Sequence, residues 1–445
     1  MTENIQKPLP EVSVIIPTFY RAELLKKNLQ ALSGQDFPHT RFEVLVVLES
    51  DCQPSREVLA GFSSGFKLRL IESSQNGPAE KRNRGAGQAS GRLLIFLDDD
   101  IIPAANFISS HVKAHAGVHN RIVVGYSRPV LNQQKGFFRN ALRSWWEEIF
   151  WRMAVPGYRF NYKNLLSGNF SLEKGMWKEV GGFNPAFRCH EDYELGFRLI
   201  KRGAELVFSP EAIGNHYEMT GLQVTLNRKF EEGKADVMLV RSYPELLKTL
   251  PLSFSNEQYF RLLVLSRRIA VDYPIAKGFY SHTLLIFLRI FEALKMRNWW
   301  RYFLDGLLTV YYWNGVMSEV TAKSGLQKLL KDSRLNETNK SGMQIDLTEG
   351  WETVEKRIDQ DRPDAIEVFY DHHQIGIIEN VPGAENLKGA HLRPGIAANF
   401  PQPLIAAVWE RVDNGRPETE APLKLLQKLK KWEKQHHCKI SVLPR

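Results

Sequence analysis

The chain has 445 residues, 43% hydrophobic and 24% charged, an ordinary balance for a globular protein of two or three domains. Its net charge of +9 is uneven: residues 226–330 carry +6 (15 Lys and Arg against 9 Asp and Glu), residues 1–225 carry +4 and residues 331–445 carry −1. Three cysteines, Cys52, Cys189 and Cys438, lack metal-like spacing, which argues against a disulfide framework and fits a reducing compartment. The polar stretch Met1–Glu11 has no leader character, and no run approaches the ~20 apolar residues of a spanning helix, so a cytoplasmic location is expected.

Val12–Pro17 is a β-rich run closed by a proline. Ala22–Leu32 carries Leu24, Leu25, Leu29 and Leu32 at helical spacing. Phe42–Leu48 predicts a second buried strand, ending at Glu49-Ser50-Asp51, and Leu68–Ile71 a third. Pro78–Ala89 is helical and holds Lys81, Arg82, Asn83 and Arg84. Leu93–Leu97 is an uninterrupted apolar run that stops at Asp98-Asp99-Asp100. Strands alternating with helices predict parallel βαβ units, whose ligands bind at the carboxyl edge of the sheet. No GxGxxG or GxxxxGK[ST] follows the first strand, which argues against a dinucleotide-binding Rossmann domain and a P-loop.

Continuing the pleat past Leu97 would put Asp98 and Asp100 on one face and Asp99 on the other. Two hard carboxylates on one rim suit Mg²⁺ or Mn²⁺, ions that arrive with a substrate diphosphate. A solvated acidic turn is the other reading of the tripeptide. Further on, Asp192, Leu195, Leu199 and Ile200 approximate helical spacing behind Glu191. Acids there either complement the helix N-terminus or do chemistry.

Residues 226–330 form a separate helical, basic and aromatic segment. Leu284, Phe287, Leu288, Phe291 and Leu294 make one stripe, with Arg289, Glu292 and Lys295 largely off it. Trp299, Trp300, Tyr302, Phe303, Tyr311, Tyr312 and Trp313 follow, with Arg297 and Arg301 among them. The mixture fits peripheral contact with an anionic membrane, or a helical subdomain packed on a catalytic core. No nucleic-acid-binding pattern is present. Residues 331–345 read as a linker, and residues 346–445 as a small α+β module with a hairpin at Ile366–Tyr370 and Ile375–Ile377 and a closing helix over Leu423–Lys434. His372-His373 and His436-His437 read as surface residues.

The order of motifs is more specific than any one of them. Val14-Ile15-Ile16-Pro17-Thr18, the acid-ended second strand, Lys81-Arg82-Asn83-Arg84-Gly85, Leu97-Asp98-Asp99-Asp100, Ser167-Gly168-Asn169-Phe170-Ser171, Gly181-Gly182-Phe183-Asn184 and Glu191-Asp192-Tyr193-Glu194-Leu195 occur in that sequence. The set resembles the family 2 glycosyltransferases of GT-A fold, over roughly residues 11–220. The resemblance implies an α/β, mostly parallel sheet flanked by helices within residues 1–225. It implies a metal-dependent, inverting transfer from a nucleotide-diphospho-sugar to a glycan or lipid-linked acceptor; the basic, aromatic segment adds the expectation of peripheral contact at the inner face of the cytoplasmic membrane.

Carried over residue by residue, Asp98 falls on the ribose side and Asp100 on the divalent ion, with Asp98 at its side. Pro17, Thr18 and Arg82 fall on the donor, although Arg82 by itself also reads as an exposed helix charge. Glu49 falls where a base-contacting Asp sits. Leu48-Glu49-Ser50-Asp51 departs from the usual Asp-Asp-Gly-Ser, which leaves the nucleobase open. Asp192 matches the catalytic base, with Glu191 its partner. His216, in Asn215-His216-Tyr217, matches a further metal ligand or stands as a structural histidine. The stripe Phe138, Leu142, Trp145, Trp146, Ile149 and Met153 is core packing or the floor of an acceptor site.

The chemistry asks for the same division of labour. An attacking hydroxyl needs a carboxylate base, and a departing diphosphate needs a cation, so the two acid sets must be distinct. A sugar nucleotidyltransferase is the enzymatic alternative, but its Gly-rich N-terminal phosphate loop is missing. A non-catalytic glycan-binding or scaffold protein is the other, and the intact acids argue against it.

Overall fold

The computed structural model describes residues 10–73, 77–130, 135–253, 261–334 and 342–413. The expected closing helix over Leu423–Lys434, His436-His437 and Cys438 lie outside the described residues. The chain divides into two compact units, Met1–Glu148 with Tyr162–Glu337, and Ile149–Asn161 with Thr338–Arg445.

The first unit opens with β1 (Val12–Pro17), α1 (Ala22–Ser33), β2 (Phe42–Glu49), α2 (Gln53–Ala60), β3 (Lys67–Ser73), α3 (Pro78–Gln88) and β4 (Leu93–Leu97). After a turn come β5 (Ile101–Pro103), α4 (Phe107–His115), β6 (Arg121–Pro129), α5 (Phe137–Met153), β7 (Asn169–Glu173), α6 (Lys174–Glu179), α7 (Glu191–Lys201) and β8 (Glu205–His216). The eight strands order as β3-β2-β1-β4-β7-β6-β8-β5. β1 pairs in parallel with β2 and β4, and β3 extends that parallel half. β7 runs antiparallel between β4 and β6 and turns the sheet into its mixed half.

β2 and β4 are buried at every position, which is why they read as unbroken apolar runs rather than alternating ones. Val14, Ile16, Val44, Val46, Ile95 and Leu97 pack with Leu25, Leu29 and Leu32 of α1 into one core. Because β1, β2 and β4 all run parallel, Pro17-Thr18, Glu49 and Asp98 emerge at the same edge.

Four long helices follow: α8 (Leu222–Ser242), α9 (Arg261–Asp272), α10 (Lys277–Ala293) and α11 (Arg297–Val320), then α12 (Lys323–Arg334). α8 and α11 approach closely at two glycines. A Cβ on Gly233 would collide with the Tyr312 carbonyl, and one on Gly315 with the Phe230 carbonyl. This crossing brings the aromatic ring of Tyr312 against α8. Part of the aromatic cluster is therefore interior: Trp300, Tyr312 and Trp313 are buried, as are Leu284 and Leu288, while Tyr302, Phe303 and Tyr311 are half-buried and Trp299 is exposed. No helix among the described residues is long and apolar enough to cross a membrane.

The second unit has β9 (Met343–Asp346), α13 (Trp351–Asp361), β10 (Ile366–Tyr370), β11 (His373–Ile378), α14 (Gly389–Asn399) and α15 (Pro401–Asp413). β10 and β11 form the expected hairpin. Its turn residues Asp371 and His372 both have positive φ, the backbone that matches the twist of a tight hairpin. Arg159 ties Ile149–Asn161 to this unit by donating to the carbonyls of Asp364, Glu379 and Glu385.

Candidate active site

Helix α3 organises the site through three consecutive side chains. Lys81 Nζ lies 2.9 Å from Glu49 Oε1 and donates to the Thr18 carbonyl at 3.0 Å. Arg82 Nη2 binds Asp98 Oδ1 at 2.8 Å, and its Nη1 binds Glu191 Oε1 at 2.9 Å. Asn83 both donates to the Phe183 carbonyl and accepts from the Phe183 N–H. The Lys-Arg-Asn motif thus clamps the ends of β1 and β2, the Asp98 turn, the Gly-Gly-Phe-Asn loop and the start of α7. Arg82 is not the exposed charge of one sequence reading. It is buried, joining the two acid sets the sequence keeps apart.

The triple aspartate does not continue the pleat of β4. The strand ends at Leu97, and Asp98–Asp100 turn into β5. The three carboxylates therefore part by partner rather than by strand face. Asp99 is buried, accepting from Thr18 Oγ1 at 2.7 Å and the Phe19 N–H at 3.3 Å, so it locks β1 to the turn. Asp98 keeps a third of its side chain exposed. Gly168 backs it so closely that a Cβ there would fall 2.8 Å from Asp98 Oδ2, which accounts for the glycine in Ser167-Gly168-Asn169. Asp100 is paired with Arg21, whose Nη1 also reaches Asp99.

Asp100 meets the end of β8. His216 Nε2 lies 3.9 Å from Asp100 Oδ1 and 3.8 Å from Glu218 Oε2. Burial pushes the Asp100 carboxyl up to about 7, aided by the charge of Asp98. Burial also lowers the His216 pKa, leaving a neutral imidazole at physiological pH, and its Nδ1 is buried without a hydrogen-bond partner. Crowded carboxylates beside a neutral imidazole are donor types that fit a divalent cation.

At the other end, α7 begins at His190, which holds the left-handed conformation with φ 59°. His190 Nδ1 contacts Asp236 Oδ1 at 2.9 Å, and Asp236 Oδ2 accepts from Tyr312 Oη at 2.6 Å, so α8 and α11 brace the start of α7. Three acids occupy its first turn and two are engaged by cations: Glu191 by Arg82, Glu194 by Arg198 at 2.6 Å. Burial raises the Glu191 pKa, as does the neighbouring charge of Asp192. Among the described residues the hydrogen-bond donors to Asp192 are backbone groups, the N–H of Tyr193 at 2.9 Å and of Ser167 at 3.4 Å. Asp192 is thus held by backbone donors where its neighbours Glu191 and Glu194 are held by cations.

The sequence assigns no role to Lys81, although it opens a motif, and does not mark Arg21 or Glu218 at all. Arg21 lies three residues beyond Thr18, and Glu218 two beyond His216, so adjacency to a motif is the signal that could have found them. Among the described residues, one trio brings metal-type ligand atoms within 4.8 Å of one another: Cys189, His190 and Glu232. Lys229 engages Glu232 at 2.5 Å, and burial pushes the Cys189 thiol well above its usual range. The trio therefore reads as support behind α7.

Paired acids at one edge of a parallel half-sheet are thus bridged by a buried arginine, on a mixed α/β sheet of GT-A type. The glycosyl transferase family 2 model matches residues 13–181, and the model described as the N-terminal domain of galactosyltransferase matches residues 148–221. The uncharacterized glycosyltransferase YfnE of Bacillus subtilis is 33% identical over 338 residues, 65% of this chain and 84% of that one. Validoxylamine A glucosyltransferase of Streptomyces hygroscopicus is 28% identical over 57% of this chain, and the match spans 65% of that protein's length. Glycosyltransferase AglE of Haloferax volcanii is 27% identical over 52% of this chain and 74% of its own. The chain belongs to glycosyltransferase family 2.

Proposed function

We propose that the protein transfers a sugar from a nucleotide-diphospho-sugar to an acceptor hydroxyl with inversion at the anomeric carbon. The observation that carries this reading is Arg82, which holds Asp98 and Glu191 in one site although they lie far apart in sequence. Pro17, Thr18 and Glu49 line the donor side of the sheet edge, with Lys81 neutralising Glu49. Asp98, Asp100 and His216 would hold Mn²⁺ or Mg²⁺, which when bound supplies positive charge for the departing diphosphate. Asp192 takes the acceptor proton while the new bond from the acceptor oxygen to the anomeric carbon forms and the bond to the diphosphate oxygen breaks. Arg82 keeps Asp98 and Glu191 in register for that step.

Calorimetric titration of UDP-, GDP- and dTDP-sugars, with Mn²⁺ and with EDTA, tests the reading. One donor should bind only with the metal, and Asp100→Ala should remove that binding from a folded protein. Equal affinity in EDTA would refute the metal assignment.

A membrane-surface location at the inner face of the cytoplasmic membrane is supported by α10 and its flanks. Ile275 is 99% exposed, Phe279 81%, Leu294 62% and Trp299 52%, beside exposed Lys277, Arg289, Lys295 and Arg297. Apolar and aromatic side chains ringed by cations suit an anionic lipid interface. Salt-sensitive sedimentation with anionic but not neutral vesicles is the expected outcome.

A further inference from the structure

A cavity of about 410 Å³ opens between α5, α8, α9 and α11 of the first unit. Its volume is that of a small-molecule site. The walls are apolar: Phe138, Leu142 and Trp146 from α5 face Leu263 from α9 and Leu304 and Trp313 from α11.

The charged groups in the lining are all engaged. Arg301 pairs with Asp305 at 3.1 Å. Lys229 and Arg228 flank Glu232 at 2.5 and 3.7 Å. Arg267 lies over the Trp313 ring at 4.4 Å. Glu218 accepts from the Thr220 N–H at 2.8 Å and faces His216. A phosphate or carboxylate entering this space would compete with those contacts for the same cations, which apolar matter does not.

The cavity also adjoins both ends of the carboxylate centre. Trp146 packs edge-on against the His216 ring, centroid to centroid 5.3 Å. Arg228, in the cavity wall, feels the charge of Asp192. Each end of the carboxylate centre thus has a neighbour in the cavity wall, Trp146 beside His216 and Arg228 within the field of Asp192.

We infer that this cavity binds an uncharged alkyl or aryl group carried by the acceptor, and selects acceptors by that group rather than by a charged one. The inference rests on the sugar-transfer reading of the carboxylate centre, but its test does not need turnover. Alkyl β-D-glucopyranosides from methyl to hexyl serve as monomeric probes on the full chain, with Trp145, Trp146 and Trp313 as the fluorescence reporters. Affinity should tighten about fourfold per added methylene, the effect of burying roughly 0.8 kcal/mol of apolar surface each time. Ala141→Trp, which fills the cavity from α5, should flatten the series and leave metal-dependent nucleotide binding unchanged. Chain-length-independent affinity in the wild type overturns the inference, as does a series that stays steep in the filled variant. A steep series in a protein that binds no nucleotide-sugar overturns the transfer reading instead.

Discussion

The sheet edge and the helical layer of the first unit solve opposite problems. At the sheet edge, short loops from five distant motifs converge on α3, and nearly every side chain that matters is charged and paired. In the helical layer, long amphipathic elements enclose an apolar cavity whose charges are turned to one another. The first arrangement suits a reaction whose charge changes are fixed by chemistry, and polar residues at loop ends carry it. The second suits selection among partners that differ in shape and apolar area, and it takes whole helix faces to build. The regions touch at Trp146 against His216 and along the His190–Asp236–Tyr312 chain.

The contrast is sharpest at the base. Asp192→Asn should leave donor binding nearly unchanged and lower turnover by roughly 10²–10⁴, read from single-turnover rates at saturating donor. Glu191→Gln should cost less turnover and more thermal stability, because Glu191 is the buried partner of Arg82. If the Asn variant turns over at near wild-type rate, or Glu191→Gln is the more damaging change, the division of roles at the start of α7 is wrong.

Arg82→Met attacks the sheet edge without touching the cavity. Removing one partner of a buried, charge-paired set costs about 3–5 kcal/mol, so the variant should melt well below wild type, by calorimetry. A loss below about 1 kcal/mol would show that the Arg82 bridge does not hold the motifs together.

Asp100 makes the sheet edge sensitive to pH in a way the apolar walls of the cavity are not. In the fold its carboxyl keeps its proton up to about pH 7, whereas in the unfolded chain it releases it near pH 4. The folded state binds more protons between those values, so Asp100 draws stability down as pH rises from about 4 to about 7. In EDTA at pH 8, Asp100→Asn should therefore melt above wild type. For the same reason, Mn²⁺ affinity should weaken by up to about tenfold per pH unit below 7 as protons compete. Alkyl glucoside affinity should not change over that range.

The smallest expected effect is on the outer face of the helical layer. Phe279→Ser with Lys277→Gln should weaken binding to anionic vesicles severalfold, since each basic residue near such a surface contributes about 1 kcal/mol. Cavity binding should be untouched.

What could be read from sequence follows the same division. β1, β2 and β4 were legible because strands buried on both faces make continuous apolar runs, and α1 and α3 because their faces alternate at helical spacing. The motifs were legible as an ordered set. Their partners were not: Thr18 meets Asp99, and Arg82 meets Glu191, across long stretches of chain, and nothing local encodes either pairing. The tripeptide Asp98–Asp100 reads equally as a continued pleat or a turn, because three carboxylates carry no periodicity, and the structure has the turn. The aromatics of residues 299–313 announced apolar surface but not its destination. Trp313 went inward to the cavity and Trp299 stayed outside, and only the close crossing of α8 and α11 decides which.

The shared guanidinium of Arg82 has a consequence for the order of events. One fork is divided between Asp98 and Glu191, which in the proposed mechanism are a donor-side carboxylate and the neighbour of the base, so a ligand that draws charge from Asp98 changes the field at Glu191 and Asp192. Two substrates that meet through such a bridge are thermodynamically linked, and linkage is reciprocal: whatever factor the donor adds to acceptor affinity, the acceptor returns to the donor. Where that factor exceeds one, the ternary complex is favoured over either binary one, and an activated sugar seldom waits beside Asp192 with only water to attack it.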